Sequence, residues 1–293
     1  MILAAGLGTR LRPLTNEVPK PLMWLGDRPQ IDHIIDALAA CGLDRVVVNT
    51  HHLPEQFDDS WAARQPLEVV RSFEPEILGQ GGGVAAAEAL LGRGAVLAWN
   101  ADIVTTLDVA ALTCAHDASG AVATLVVGER LLPRVGTLGL SAAGDVVRLR
   151  KLTLGGEVFS ADYAGIALLS ARLRARLPIP SCLVDNSFIP ALTRGERIAT
   201  FTLEAPFVDI GSPSALLSAN LAWLRARGLS SYVHPTAEVA APVELREVVV
   251  ARDARVHGSG VLERVLLFPS AKVTAPQRSS IVTPRLAIMN LCP

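Results

Sequence analysis

The chain has 293 residues, of which 50% are hydrophobic and 19% charged, and its formal net charge is -1. This length allows one large domain, or one domain of about 200 residues followed by a smaller one. A charge so close to neutral gives no electrostatic support for binding to nucleic acid or to a membrane surface.

The apolar segments and the cysteines indicate a cytoplasmic protein without a membrane partner. No apolar stretch reaches the roughly 18 residues that a transmembrane helix needs, and the opening apolar run is too short for a signal peptide. The cysteines lie far apart and form no CxxC pair, which argues against a zinc site or a disulfide framework. They are Cys41, Cys114, Cys182 and Cys292.

Strand and helix patterns alternate along the first hundred residues. Short apolar runs predict buried strands, and apolar residues at helical spacing predict helices between them. The predicted strands are "MILAA", "RVVVNT", "LEVVRSF" and "AVLAWN". The predicted helices are "PQIDHIIDALAACG", "PEQFDDSWAA" and, after a glycine loop "ILGQGGG", "VAAAEALLG". This alternation favours a parallel sheet with helices on both faces.

From about residue 121 the strand patterns are less regularly separated by helices, which favours antiparallel strands beside the parallel core. They are "AVATLVV", "GTLGL", "VVRLRKL" and "YAGIALL". A helical pattern, "SALLSANLAWLRARG", then ends at Gly228, where we place a domain boundary. The predicted fold of residues 1–228 is therefore α/β, with a Rossmann-like mixed sheet.

Beyond Gly228, apolar residues recur about every five or six positions, with small residues and prolines between them. Such short repeats predict a parallel β-helix, here of two or three coils over residues 232–285. The exposed end coils of a short β-helix favour packing into a homo-oligomer. The valines predicted to point inward are Val233, Val239, Val243, Val250, Val256, Val261 and Val273.

The opening segment "LAAGLGTRLRPLTNEVPKPL" places glycines and basic residues directly after the first strand. Gly6 and Gly8 fit the start of a dinucleotide fingerprint, but the third glycine is missing, and no Lys-Ser or Lys-Thr follows as a Walker loop requires. Two interpretations remain. One is a backbone cradle for a triphosphate, with positive charge added by Arg10, Arg12 and Lys20. The other is a solvated glycine-rich turn.

Three polar segments follow predicted strand ends: the opening loop, "GQGGG" and "NAD" at Asn100–Asp102. In open sheets of this kind, ligands bind outside the carboxyl ends of the strands. We therefore expect the three segments to converge on one crevice.

These segments, together with "FVDIGSP", resemble those of the sugar-1-phosphate nucleotidylyltransferases. The resemblance covers roughly residues 1–275 and includes the left-handed hexapeptide β-helix that many members carry. The groups that look most similar are mannose- or heptose-phosphate guanylyltransferases and the uridylyltransferases that act on N-acetylmuramic acid 1-phosphate. The resemblance implies Mg²⁺-dependent transfer of a nucleoside monophosphate from an NTP to a sugar 1-phosphate, giving an NDP-sugar and pyrophosphate. The alternative is a catalytically silent relative that binds a nucleotide-sugar and regulates a partner.

The resemblance also implies roles for single residues. Arg10 matches the catalytic cation that holds the β and γ phosphates, and Lys20 the one that neutralises the α-phosphate and the sugar phosphate. Asp102 and Asp209 match the metal ligands. Nucleotide-binding positions are matched by Leu3, Ala4, Ala5, Gly6, Gly8, Thr9, Gln80, Gly81 and Gly82. Sugar-phosphate-binding positions are matched by Lys151, Tyr163 and Gly165.

Two of these positions carry residues that differ from the family pattern. Gln80 stands where close relatives usually have threonine, and Tyr163 stands where guanylyltransferases often have the asparagine of "NAGIY". The sequence therefore leaves open whether the base is guanine or uracil and which sugar is the acceptor.

Overall fold

Strands and helices alternate in the first part of the chain and strands alone follow the helix Pro213–Ala226, and the computed structural model describes residues 1–291. Of the four cysteines, Cys292 lies outside the described residues. The strands are β1 (Ile2–Leu3), β2 (Trp24–Leu25), β3 (Arg28–Pro29), β4 (Arg45–Thr50), β5 (Glu68–Phe73), β6 (Val96–Asn100), β7 (Ile103–Val104), β8 (Ala123–Val127), β9 (Leu138–Leu140), β10 (Val146–Leu149), β11 (Leu152–Thr153), β12 (Phe159–Ala161), β13 (Tyr163–Leu169), β14 (Ile198–Thr202), β15 (Val208–Asp209), β16 (Tyr232–Val233), β17 (Glu238–Val239), β18 (Val243–Val250), β19 (Arg255–Leu267), β20 (Lys272–Val282) and β21 (Ala287–Ile288). The α-helices are α1 (Gln30–Ala40), α2 (Asp59–Ala63), α3 (Gly79–Ala86), α4 (Val109–Ser119), α5 (Ala171–Arg174), α6 (Ile189–Thr193) and α7 (Pro213–Ala226).

Contacts between Cα atoms divide the chain into two compact units. The first unit consists of residues 1–6 and 34–208, and the second consists of residues 7–33 together with those from 209 on. The division into domains at 1–228 and 232–285 stays a prediction.

The first unit is built on a seven-stranded mixed sheet in the order β14-β8-β13-β6-β1-β4-β5. β1 is parallel to both β4 and β6, and β5 is parallel to β4. β13 is antiparallel to β6 and β8, while β14 is parallel to β8. The predicted α/β class with antiparallel additions to a parallel core is thus confirmed as a large mixed sheet. A four-stranded sheet, β11-β10-β9-β12, belongs to the same unit.

Two predicted helices are wrong in their bounds. α3 begins at Gly79, inside the predicted glycine loop, because close packing of the glycine backbone outweighs the low helix propensity of glycine. The segment "PEQFDDSWAA" forms a 3-10 turn at Pro54–Gln56 and a separate α2. The break lies at Asp58, whose side chain accepts a hydrogen bond from the Trp61 N–H at 2.7 Å and so caps a new helix.

The second unit contains the C-terminal strands, in which β18, β19 and β20 pair in parallel. Val243 pairs with Gly260 and Arg255 with Lys272, an offset of 17 residues in both cases. Further along β19 and β20 the register shifts, and the offset falls to 15 residues, as between Leu262 and Gln277. Offsets of similar size are what successive coils of similar length produce. The left-handed β-helix itself stays a prediction.

The valines predicted to point inward differ in their burial. Val250, Val256 and Val273 are buried in the core of these strands, and the partly exposed ones are Val239, Val243 and Val261. Val233 is exposed, so its predicted inward position is wrong. Val233 lies in the two-residue β16 at the edge of the sheet, which pairs with β18 and has no strand on its other side.

None of the helices in residues 1–291 is both long and apolar enough to cross a membrane. The cysteines in this range, Cys41, Cys114 and Cys182, are all free thiols.

Asn220 of α7 fixes the β2–β3 hairpin within the second unit. Its Oδ1 accepts a hydrogen bond from the Gly26 N–H at 2.8 Å, and its Nδ2 donates to the Trp24 carbonyl at 3.0 Å. The side chain of Asn220 is 0% exposed, so these bonds are shielded from water. One turn further along α7, the indole of Trp223 lies directly against Gly26.

We predict that Gly26→Ala destabilises the protein strongly. Gly26 has φ +65°, and a Cβ there would lie 2.1 Å from the Trp223 ring. We expect a loss of about 3 kcal/mol in the free energy of unfolding, from overpacking and left-handed strain together. Urea denaturation measures it.

The matched control for this variant is Gly228→Ala. Gly228 has φ +64° but no atom within 4 Å of the added Cβ, so only the left-handed strain remains, about 1 kcal/mol. Equal losses for the two variants would contradict the packing role of Gly26.

Candidate functional site

The carboxyl ends of β1, β4 and β6 lie side by side in the first unit. Leu3 pairs in register with Asn49 on one side and with Asn100 on the other. Because the three strands are parallel, the residues that follow them, Ala4 onwards and Ala101 onwards, leave the sheet at the same edge. This arrangement places the start of the opening segment beside "NAD".

The glycine helix α3 contacts the same edge through Gln80. The Nε2 of Gln80 donates a hydrogen bond to Oδ1 of Asn100 at 2.8 Å. Gly165 of β13 has φ +71°, and a Cβ there would lie 2.7 Å from Nδ2 of Asn100. The predicted site residues Gln80 and Gly165 therefore both contact Asn100, which is two residues before Asp102. The expected convergence of "GQGGG" and "NAD" is present.

The glycines after Gln80 pack against the segment that contains Ser181. The N–H groups of Gly81 and Gly82 both donate to the Ser181 carbonyl, at 2.9 and 3.1 Å. A Cβ on Gly81 would lie 2.4 Å from the Ser181 hydroxyl oxygen, and one on Gly82 would lie 3.0 Å from its backbone nitrogen. Close packing therefore requires these two glycines, and their predicted role in nucleotide binding stays a prediction.

The residues predicted to bind the sugar phosphate differ in their surroundings. Tyr163 is partly buried at the start of β13 and packs edge-on against Phe188, with ring centroids 6.4 Å apart. Desolvation by burial raises the pKa of Tyr163, so the hydroxyl stays protonated at neutral pH. Lys151 is exposed in the turn between β10 and β11. Its neighbour Arg150 forms a salt bridge with Asp185.

In the second unit, the glycine-rich part of the opening segment folds back on itself through three 3-10 turns, Thr9–Leu11, Leu14–Asn16 and Lys20–Leu22. The Thr15 hydroxyl donates to the Gly8 carbonyl at 3.1 Å. Gly8 has φ +61°, and a Cβ there would lie 2.8 Å from the Thr15 methyl and 3.1 Å from the Cβ of Lys20. Glycine at this position therefore allows Lys20 to approach the start of the loop.

Two predicted cations meet at one predicted metal ligand. The Nη2 of Arg10 lies 3.3 Å from Oδ2 of Asp209, and the Nζ of Lys20 lies 3.6 Å from its Oδ1. The side chains of Arg10, Lys20 and Asp209 are 69%, 12% and 44% exposed. Gly211 lies under the Arg10 guanidinium, because a Cβ there would be 2.7 Å from Nη2. The group carries two positive charges and one negative charge.

This ion-paired group is suited to exchange one anion for another. Ion pairs between exposed side chains contribute only about 0–1 kcal/mol, because water screens them. Arginine and lysine bind phosphate oxygens with charge-assisted hydrogen bonds, which are stronger than neutral ones. The exposed Arg10–Asp209 pair can therefore be replaced by a contact with a competing anion at little cost, whereas the Lys20 side chain is mostly buried and its pair with Asp209 is less screened.

The predicted site residues belong to both units. Leu3, Ala4, Ala5, Gly6 and Asp102 are in the first unit, with Gln80 and the sugar-phosphate positions. Gly8, Thr9, Arg10, Lys20 and Asp209 are in the second. Residues 1–291 contain no cluster of three or more His, Cys, Asp or Glu side chains suited to a metal ion. The pairing of Asp102 with Asp209 as metal ligands stays a prediction.

Sequence reasoning missed several polar residues that organise these groups: Asn49, Glu74, Ser181 and Asn220. Three of them, Asn49, Glu74 and Asn220, are at most 3% exposed. An isolated polar residue in an apolar run is the signal that could have marked Asn49, since a buried polar group needs a partner.

Comparison with known proteins gives consistent matches. Residues 1–150 match the model of the nucleotidyl transferase family. The chain is 31% identical over 227 residues to a probable mannose-1-phosphate guanylyltransferase 2 of Arabidopsis thaliana, covering 73% of this chain and 61% of that relative. It is 31% identical over 233 residues to the N-acetylmuramate alpha-1-phosphate uridylyltransferase of Caulobacter vibrioides, covering 75% and 94%.

Another relative covers nearly the whole chain. The mannose-1-phosphate guanyltransferase of Schizosaccharomyces pombe is 28% identical over an alignment of 280 residues that covers 93% of this chain and 72% of the relative. Among solved structures, HddC from Yersinia pseudotuberculosis has a TM-score of 0.63 at 22% identity, covering 76% of this chain and 97% of HddC. This likeness supports the fold.

We predict that Asp209→Asn tightens the binding of metal-free pyrophosphate. The variant removes the carboxylate that both Arg10 and Lys20 contact. We expect the dissociation constant to fall about three- to fivefold, the size of one exposed ion pair. Calorimetry in EDTA measures it, with Asp44→Asn at an exposed position just before β4 as the control that leaves binding unchanged. Weaker binding in Asp209→Asn would contradict the exchange.

Proposed function

The chain belongs to the nucleotidyl transferase family, and from this premise we propose that it transfers a nucleoside monophosphate from an NTP to a sugar 1-phosphate. The products are an NDP-sugar and pyrophosphate. The observation that carries the proposal is the meeting of Arg10 and Lys20 at Asp209, which puts two phosphate-binding cations next to a carboxylate. The names of the two relatives, a guanylyltransferase and a uridylyltransferase, both describe transfer of a nucleotide to a sugar 1-phosphate.

The reaction needs no general base. An oxygen of the sugar phosphate attacks the α-phosphorus of the NTP in line, so one O–P bond forms while the bond to the departing pyrophosphate breaks. The nucleophile is already largely ionised at neutral pH, because the second pKa of a phosphate monoester is about 6. Catalysis therefore depends on positioning and on neutralising charge, as in other phosphoryl transfers.

Arg10 and Lys20 supply that neutralisation in this proposal. Arg10 is the more exposed of the two, and its forked guanidinium suits the β and γ phosphates of the leaving group. Lys20 is 12% exposed, so its ammonium is more confined and suits the reacting α-phosphate and the sugar phosphate. Both cations contact a carboxylate before substrate binds, which holds them near their working positions.

Asp209 and Asp102 are the proposed holders of Mg²⁺. Their carboxylate oxygens fit the ion, which prefers one or two carboxylates completed by phosphate oxygens and water. The Asp209 side chain is 44% exposed, and Asp102 is partly exposed. When bound, Mg²⁺ withdraws charge from the phosphate oxygens and helps to orient them.

The remaining parts of the proposal concern the substrate and the assembly. The relatives support guanine or uracil as the base and mannose or N-acetylmuramate as the sugar. The similar offsets between the parallel strands β18, β19 and β20 support a β-helix over residues 232–285, and the family resemblance supports its left hand. We propose that a homo-oligomer packs through it in the cytoplasm.

A pyrophosphate-release assay tests the activity. The grid combines GTP, UTP, ATP and CTP with mannose, N-acetylmuramate and glucose 1-phosphates in the presence of Mg²⁺. We expect turnover with at least one pair, fastest with GTP or UTP, and none from a Lys20→Gln control. If folded wild-type protein turns over no pair, the enzyme proposal fails and a nucleotide-sugar-binding regulator takes its place.

We predict that Asp102→Asn reduces turnover by at least about 100-fold, because an amide is a much poorer ligand for Mg²⁺ than a carboxylate. Circular dichroism and the unfolding midpoint should match those of wild type. Asp117→Asn, on the exposed face of α4, is the control that keeps full activity. Near-normal turnover in Asp102→Asn would remove this residue from the metal site.

A further inference from the structure

A buried chain of hydrogen bonds in the first unit is not explained by the proposed chemistry. The Ala4 N–H donates to Oδ1 of Asn49 at 2.7 Å, and Nδ2 of Asn49 donates to Oε1 of Glu74 at 2.7 Å. The Leu78 N–H donates to Oε2 of Glu74 at 3.1 Å. We call these four residues the Asn49–Glu74 relay.

The relay lies in the interior of the first unit. Glu74 is 1% exposed and Asn49 is 3% exposed. In the part of the chain that the structure describes, the Glu74 carboxylate takes part in no salt bridge, and its hydrogen bonds come from neutral donors. Burying a carboxylate without a cation is costly, so the sequence retains Glu74 at some expense in stability.

The two ends of the relay belong to segments with matched nucleotide-binding positions. Ala4 is the first residue after β1, and Leu78 is the residue directly before α3. Since Glu74 follows β5 and Asn49 lies in β4, the relay crosses two strand ends to connect these segments. Both segments must keep their separation for a nucleotide to contact both.

The relay also accounts for the third glycine of "GQGGG". A Cβ on Gly83 would lie 2.6 Å from Nδ2 of Asn49 and 2.6 Å from Oε1 of Glu74. Any larger residue would push the two polar groups apart. The helix that carries Gln80 can approach the sheet only because Gly83 leaves room for the relay.

We propose that Asn49 and Glu74 are positioning residues, which hold the start of the opening segment and the start of α3 at the separation that the nucleoside triphosphate requires. This inference rests on the proposed function. Neither side chain touches the substrate; they act through the backbone of Ala4 and of Leu78.

The direction of each hydrogen bond in the relay is fixed. A backbone N–H at either end can only donate, so Ala4 requires an acceptor from residue 49 and Leu78 requires one from residue 74. In Glu74→Gln, the new amide group faces either the Leu78 N–H or the amide of Asn49, donor against donor. One end of the relay must then move.

The reversed pair restores every bond with the same number of heavy atoms. In the double variant Asn49→Asp with Glu74→Gln, the new carboxylate at position 49 accepts from the Ala4 N–H and from the new amide at position 74. The amide oxygen at position 74 then accepts from the Leu78 N–H, and the net charge is that of wild type. Asn49→Asp alone instead buries two carboxylates side by side, which is unfavourable.

The experiment compares wild type, the Glu74→Gln and Asn49→Asp single variants and the double variant, with GTP or UTP and mannose 1-phosphate. For Glu74→Gln we expect at least a tenfold rise in KM for the nucleoside triphosphate, with kcat and the KM for the sugar phosphate changed less than threefold. The double variant should return within threefold of wild type. An unchanged KM in Glu74→Gln, an equal rise in both KM values, or a double variant no better than Glu74→Gln would overturn the proposal.

A second measurement separates this inference from the proposed function. Amide hydrogen exchange on the ligand-free proteins should be faster in Glu74→Gln within residues 1–8 and 77–87, and normal again in the double variant. This result is expected even if wild type turns over no substrate pair, in which case only the proposed function fails. If Glu74→Gln does not fold, the test is whether the double variant folds. Failure of the double variant to fold would overturn the proposed positioning role of Asn49 and Glu74.

Discussion

The hydrogen bonds of Asn220 are the constraint on which the second unit depends. This side chain is fully buried and binds the Trp24 carbonyl of β2 and the Gly26 N–H of the turn that follows, which fixes the position of the β2–β3 hairpin on α7. α7 also contacts β18, β19 and β20. The segment 7–33, which is distant in sequence from the C-terminal strands, therefore belongs to the same compact unit.

A consequence of this packing is the position of the charged group. Gln30, at the start of α1, donates from Nε2 to the Lys20 carbonyl at 2.8 Å, and its N–H donates to the Met23 carbonyl at 2.9 Å. Thr283, near the end of β20, donates to Glu17 at 2.8 Å. The loop that holds Arg10 and Lys20 is thus tied at several points, which reduces the entropy that it loses when it binds an anion.

Much of the fold followed from the hydrophobic pattern, because strand and helix periodicities are local. β4, β5 and α1 lie where the pattern predicts them. The bounds of α3 did not follow, since glycine has a low helix propensity and the glycines of this helix pack closely against distant residues, Ser181 among them. The resemblance predicted Arg10 and Asp209 as site residues, and these two side chains, 199 residues apart in sequence, are in contact.

The sequence by itself determined the α/β class and the family, and it predicted which residues bind phosphate. These properties are carried by local periodicity and by motifs that are contiguous in the chain. Only the tertiary structure decided that Arg10 and Lys20 share one carboxylate, that Asn100 joins Gln80 to Gly165, and that Glu74 is buried under α3. Such contacts depend on directional hydrogen bonds and close packing between distant segments, and a one-dimensional pattern does not encode their distances.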